Sequence, residues 1–509
     1  GKFTVRGVSA LLLLLMIASG SVFWSTRTAD FWQYIPGIRR LARESYDISS
    51  VSTRLIALGV SRDAFLEKPV FGWGPENYNI AYNKHYNPDY SYYAEDWFDR
   101  AHNKVAGVAV TQGAVGLVSY LALFIAAFYY IFRRLGDSFW LKPLLAAALV
   151  GYFVQNLFLF DMPVSYLVFF AILGFLVTKT KGSGGFFSKR APVVFSAGVL
   201  AAGALISLYW GNFIPFTQAK EYVKAVRTKA ADKIFAASDD FLYPHSFAQS
   251  TIRDQFSDLV YDNGLLRTPG SRPLADKLMV ALEELVEREP YEPRHFIRLV
   301  ESYSEYAKDD RSYFAKADDY AHKALALSPK RQGIRYHVAF VLAGEGKYEE
   351  AIKLARDTVA LNDRVYKSQY QLGIIYSLYA DATENIGTPL QEEYRTKARE
   401  QFTRAWEMAR EQNRYIFFLF QDYSNLISIY RVLGDNFQAA EVLEEALKAY
   451  PKEQKLYIDA MAVYRDLRDK DRLIEVAGEA GRNFPEIKKD TDTIVQFAEQ
   501  DRWDILDTF

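Results

Sequence analysis

The sequence predicts an all-α chain in two parts, a polytopic transmembrane helical bundle followed by an α-solenoid of paired helices. Three observations carry this. Five apolar stretches in the first 215 positions are long enough to cross a bilayer core of ~30 Å, which takes about 20 helical residues. Lys, Arg, Asp and Glu crowd into the remainder, so a chain that is 50% hydrophobic over 509 residues combines segments suited to two different solvents. Small residues in that remainder recur at a spacing of 34.

The apolar stretches are Gly7–Trp24, Ala109–Phe132, Leu141–Phe160, Val164–Thr178 and Val193–Phe213, the fourth being short. The first has a basic end, Lys2 and Arg6, but no small-x-small cleavage site follows it. Its flank of Phe23, Trp24, Phe31, Trp32 and Tyr34 suits an interface anchor, so a retained span is expected, not a signal peptide. Because the sequence opens at Gly1, further spans are expected upstream. Arg133, Arg134 and Lys142 separate the second and third spans, and Lys179, Lys181, Lys189 and Arg190 separate the fourth and fifth. The positive-inside tendency makes these short loops cytoplasmic. The loop at 25–108 and the carboxyl-terminal part then fall on the extracytoplasmic side of the inner membrane.

The membrane part is expected over 1–215, a helical cap or degenerate repeat over 216–300, and repeats over 301–509. Ala317, Ala321, Ala324 and Pro329 share their offsets with Ala439, Leu443, Ala446 and Pro451, and Ala351, Ala355 and Thr358 follow the same rule. Ala317 to Ala351 and Pro451 to Pro485 are each 34 residues. Leu372, Gly373 and Tyr376 read as a first helix and Ala398, Phe402 and Ala405 as its partner, with an insertion over Asp381–Glu393. Gly346 and Gly434 stand where a turn needs a permissive backbone. This pattern resembles the tetratricopeptide repeat, in which small residues on the second helix allow close packing. Stacked helix pairs of this kind suit a protein or acceptor partner.

Totals narrow the chemistry. A net charge of −1 supplies no concentrated basic face, so no nucleic-acid partner is expected. With no cysteine, disulfides, thiolate metal sites and cysteine nucleophiles are excluded. No metal or other cofactor is expected. His245, His295, His322 and His337 show no ligand spacing and read as core or surface residues.

The loop at 25–108 carries the informative text: Arg54 in Ser-Thr-Arg-Leu, then Gly72-Trp73-Gly74-Pro75-Glu76-Asn77, then Arg100-Ala101-His102-Asn103. A histidine and several arginines beside a membrane suit an anionic lipid headgroup. No Lys-Ser/Thr follows the glycines, so Gly72 and Gly74 read as a turn and not as a phosphate cradle. Arg39, Arg40 and Arg43 lie with Ile35, Ile38 and Leu41 in an amphipathic stretch that suits headgroup contact without catalysis.

These elements, in this order among spans and with Asn156 to Asp161 at the head of the fourth, resemble the O-antigen ligase and polymerase superfamily of membrane glycosyltransferases over about Ile35 to Val177. The resemblance implies metal-independent transfer of an undecaprenyl-diphosphate-linked glycan to an acceptor hydroxyl, whether on another glycan, lipid A core or a protein. It places the acceptor-assisting role on His102 and diphosphate binding on Arg54, with Arg100 beside it. A neutral imidazole can accept a hydroxyl proton, and a guanidinium suits the charge gained by a leaving diphosphate. Asn103 could orient the ring or a sugar; Glu76 and Asp99 could hold the imidazole tautomer or pair with an arginine; Trp73 is a further substrate-contact candidate. Two positions depart from the pattern: Lys104 follows Asn103, and Gly107 stands where a carboxylate is expected. Family members carry roughly a dozen spans, which again calls for more chain upstream. The alternative reading is a non-catalytic membrane-anchored repeat scaffold that assembles envelope proteins.

Overall fold

The computed structural model describes residues 2–26, 29, 31–32, 48–136, 140–179, 190–228, 230–243, 245–262, 265, 270–411 and 420–508. Every regular element among them is helical. The amphipathic Arg39, Arg40 and Arg43 and the linker residues Lys181 and Lys189 lie outside the described residues. The chain divides into two compact units: residues 1–78 with 93–180, and residues 79–92 with 181–509.

The first unit holds α1 (Lys2–Thr26), α2 (Ile48–Glu67), α4 (Lys104–Tyr129), α5 (Leu141–Asn156) and α6 (Pro163–Lys179); α3 (Tyr78–Lys84) carries the chain into the second. Much of the expected loop is therefore regular: α2 alone runs for 20 residues and buries Ala57, Val60 and Ala64 on one face. Lys104–Arg134, which is α4 plus a π-helical turn over Tyr130–Arg134, is long and apolar enough to cross a membrane, as is Phe195–Val226. Pro163–Lys179 is apolar but shorter, and α5 has 16 residues. Phe124, Ala127, Ile131, Leu149, Phe169 and Leu176 form the buried seam of α4, α5 and α6. Their outward neighbours Val118, Ile125, Leu144, Leu167 and Val177 are exposed, the reverse of a water-soluble bundle.

One break in α4 organises this unit. Gly113 has φ 66° and ψ −165°, so Ala114 and Val115 cannot bond to the carbonyls four residues back. The glycine turn fills the gap. The amides of Trp73 and Gly74 donate to the Val110 and Thr111 carbonyls at 2.9 and 2.8 Å, and those of Ala114 and Val115 donate to the Pro69 and Val70 carbonyls at 2.7 and 3.2 Å. Two lost helical bonds are replaced by four. A Cβ on Gly72 would stand 2.5 Å from the Val110 oxygen, and one on Gly113 would stand 2.2 Å from the Val70 oxygen, so both positions need glycine.

The second unit begins with α7 (Arg190–Leu208), a π-helical turn over Tyr209–Phe213 and α8 (Ile214–Val226), followed by α9 (Ala231–Leu242), α10 (Gln249–Ser257) and α11 (Arg272–Arg288). Buried polar side chains help hold α8 to α11 together. Gln218 donates to the Phe241 carbonyl at 2.7 Å, and the fully buried Arg253 donates to the Leu242 carbonyl at 2.8 Å and to Glu284 at 2.9 Å.

Paired helices follow: α12 (Pro293–Tyr306) with α13 (Phe314–Leu327), α14 (Gln332–Gly344) with α15 (Tyr348–Leu361), α16 (Tyr366–Ala380) with α17 (Pro389–Glu411), α18 (Phe420–Val432) with α19 (Asn436–Ala449), and α20 (Gln454–Asp466) with α21 (Lys470–Asn483). Helices α22 (Lys488–Glu499) and α23 (Trp503–Leu506) complete the chain's described elements. Ala317, Ala321, Ala324, Ala351, Ala439 and Ala446 are fully buried where the second helices pack, as their spacing predicts. Gly346 and Gly434 take φ 87° and 73° at helix ends. At the first, the Lys347 amide reaches back to the Leu342 carbonyl at 2.9 Å. The expected insertion is a short 3-10 turn over Thr383–Asn385 followed by α17, which extends the second helix of its pair to 23 residues.

Candidate functional site

A small pocket in the first unit gathers Glu76, Arg100, His102 and Asn103 together with Lys104 and Asp161. Its volume, about 80 Å³, has room for a hydroxyl group and a few waters rather than a whole sugar. Glu76 (φ 62°) and His102 (φ 48°) are both held in the left-handed region. Such backbone costs about 1–3 kcal/mol per residue and persists only where its surroundings over-determine it.

The surroundings of His102 do so. Asn103 caps α4, its Oδ1 accepting the Ala106 amide at 2.9 Å while its Nδ2 donates to the Leu157 carbonyl at 3.0 Å. The half-buried imidazole lies edge-on to Phe98 at 5.2 Å and Phe160 at 5.4 Å. Burial, and then the nearby Arg54 charge, lower its pKa below the ordinary imidazole value, while Asp99 pulls weakly the other way. The ring is therefore neutral at neutral pH and able to take a proton.

Arg100 pairs with the exposed Glu76 at 3.2 Å, and its guanidinium stands 5.3 Å from the Phe160 ring. Of the two roles open to Glu76, the geometry shows the arginine pairing. Arg54, on α2, reaches the Phe158 carbonyl at 3.4 Å and acts on His102 through its charge. Trp73 does not line the pocket: its indole N–H donates to the Ala64 carbonyl at 2.9 Å and Lys68 sits 4.0 Å over its ring.

Lys104 departs from the family's motif, and Asp161 has no role that its sequence position announces. The two meet at 3.2 Å, the Asp161 side chain being 2% exposed. Tyr152 and Asn156 also donate to Asp161, at 2.5 and 3.1 Å, and Lys104 donates to the Tyr166 hydroxyl at 2.7 Å. The residues are 57 apart in sequence, and the Asn156–Asp161 element carries no sign that its Asp will meet Lys104.

Residues 2–121 match the family described as O-Antigen ligase. This amino-terminal part of the chain is thus similar to the O-antigen ligase family. The match takes in the glycine turn, Arg54 and the Arg100–Asn103 element, so the pocket's Glu76, Arg100, His102 and Asn103 lie within the matched residues. Among solved structures, the chain is similar to a tetratricopeptide repeat protein from Parabacteroides merdae, with 10% identity over 57% of this chain and 100% of that one and a TM-score of 0.34. It is also similar to the APC/C hetero-tetramer Cut9-Hcn1 (14% identity, 78% and 79% of the two chains, TM-score 0.22) and to yeast Tom70 (15%, 90% and 96%, TM-score 0.22). No curated protein matches the chain.

Proposed function

We propose that this chain works as a bacterial envelope glycan ligase or polymerase, which transfers a glycan from undecaprenyl diphosphate to an acceptor hydroxyl and binds a partner or acceptor through its repeats. The observation that carries the reading is the shared pocket of His102, Arg100 and Asn103, in a segment that matches the O-antigen ligase family. His102 takes the acceptor's proton as its oxygen bonds to the anomeric carbon. The bond from that carbon to the diphosphate oxygen breaks, and the lipid diphosphate leaves with the electron pair. Arg54 and Arg100 stabilise the charge gained by the leaving group. Asn103 positions the histidine, and Trp73 supports the turn instead of touching substrate.

The five apolar helices cross the inner membrane in this reading, with Arg133 and Arg134 cytoplasmic and the loop and repeats extracytoplasmic. The test is a full-length His102→Gln variant assayed for transfer of a lipid-linked glycan at matched membrane level. Loss of transfer is expected; transfer at the wild-type rate removes the catalytic assignment.

A further inference from the structure

Residues 79–92, lying in sequence between the glycine turn and Arg100, belong to the compact unit formed by the repeats. Ala81, Tyr82, Asn83, Tyr86 and Tyr90 are each at most 2% exposed. The three tyrosines meet edge to face, with ring centroids 6.0–6.2 Å apart.

The contacts fall at equivalent places in successive repeats. Asn79 donates to Glu292, the residue that caps α12. In the turn between α13 and α14, Ser328 donates to the Asn83 carbonyl at 2.7 Å, Arg331 lies 5.0 Å from the Tyr86 ring, and Gln332 donates to the Pro88 carbonyl at 2.9 Å. In the turn between α15 and α16, Asn362 donates to Asp89 at 2.8 Å and Arg364 lies 4.8 Å from the Tyr92 ring. Ser328 and Asn362 are 34 residues apart, one repeat period. The segment thus runs in chain order past the entry to the first helix pair and along the next two inter-repeat turns. Most of the repeat groups that hold it, Glu292, Ser328, Arg331, Gln332 and Asn362, are themselves buried.

We propose that these inter-repeat turns are a receptor for the chain's own segment 79–92, and that holding it fixes the two ends of the site loop. Glu76 precedes the held segment by three residues and Arg100 follows it by eight. The repeats therefore act in cis on the transfer site, and this edge of the solenoid is not free for a separate partner. A docked partner would alter transfer by loosening or tightening this grip. The binding stands on the contacts alone; the effect on transfer rests on the ligase reading.

The experiment is amide hydrogen exchange on the full chain in lipid nanodiscs, comparing wild type with Asp89→Ala and with Ser328→Ala/Asn362→Ala. Strong protection of residues 80–92 is expected in the wild type. It should fall severalfold in Asp89→Ala, which loses the part-buried bond from Asn362, and about tenfold or more in the double variant, which loses that bond and the buried one from Ser328, while α19 and α20 keep their protection. Asp89→Ala changes only the segment, so it remains decisive if the double variant unfolds the repeats. Exchange of 80–92 at free-peptide rates in the wild type, or unchanged protection in Asp89→Ala, overturns the receptor. Transfer should fall severalfold in Asp89→Ala, and unchanged transfer with lost protection overturns the coupling. If the wild type transfers nothing while 80–92 is protected, the ligase reading fails and the receptor stands.

Discussion

Replacing Gly72 by alanine should do disproportionate damage to the first unit. The new Cβ would stand 2.5 Å from the Val110 oxygen and 2.6 Å from the Gln112 and Gly113 nitrogens, all backbone atoms that cannot swing aside. At φ 71° the left-handed backbone adds roughly 1–2 kcal/mol for any L-residue with a Cβ. If the turn retreats, the four bonds it shares with α4 are lost, at roughly 0.5–1.5 kcal/mol each and more where no water replaces them. The expected cost is about 3–8 kcal/mol, enough to unfold a domain of ordinary stability. Gly59→Ala is the control: Gly59 lies in α2, where an added methyl would have nothing within 4 Å, so that change should stabilise by up to ~1 kcal/mol. Thermal unfolding in detergent measures both, and exchange at Ala114 and Val115 localises the damage. A cost below about 1 kcal/mol for Gly72→Ala, or one equal to that of Gly59→Ala, would refute the reasoning.

His102→Gln should lower transfer by about 10²–10⁴-fold at unchanged membrane level. Because the folded pKa of His102 is lowered, transfer in the wild type should hold steady through neutral pH and decline only below the ordinary imidazole range, as a pH–rate profile will show. His295 is buried between Glu289 at 2.9 Å and Asp254 at 3.5 Å; burial opposes its charge, but the two carboxylates prevail and push its pKa up to about 9. A raised pKa contributes stability that is complete below the unfolded value near 6.5 and is lost as pH rises through about 9. Melting of the intact chain should therefore show a loss on the order of 3 kcal/mol across that window, absent in His295→Gln, and a flat wild-type profile would disprove it. Lys104→Met and Asp161→Asn should each destabilise the bundle by about 2–4 kcal/mol, whereas the double variant should cost clearly less than their sum; additivity within ~0.5 kcal/mol would show that the pair is not coupled.

The repeat half was legible because its determinants are local and periodic. Ala317, Ala351 and Ala439 announce a close helix contact wherever the chain places them, and Gly346 and Gly434 announce a helix end. The site's loop residues were legible as a group for a different reason: His102, Asn103 and Arg100 are neighbours in sequence, and a motif can carry them. What could not be read depends on pairing across the chain. Nothing in Gly113 says that its amide neighbours will bond to Pro69 and Val70, and nothing in Ser328 or Asn362 says that they will hold Asn83 and Asp89. Trp73 is a substrate-contact candidate in the sequence, and the contacts its N–H and ring face make with Ala64 and Lys68 are again pairings across the chain.

Lys104 shows how an apparent defect in a motif is made good in three dimensions. An ammonium at the head of a long apolar helix is costly unless paired, and Gly107, one turn on, offers no carboxylate. Asp161 supplies it from the head of α6, and its carboxylate, 2% exposed, is in turn met by Lys104, Tyr152 and Asn156. The pair joins the start of α4 to the start of α6, and Asn103 joins the same turn to the Leu157 carbonyl at the end of α5. His102 sits one residue before these anchors with its backbone at φ 48°. A relaxed loop would let that residue fall back to an ordinary conformation, so the polar contacts beneath it are what keep the imidazole raised toward the pocket. Asp161 thus bears on His102 through Lys104, two residues along the same turn, and Asp161→Asn should be felt at the histidine as well as in the helix packing.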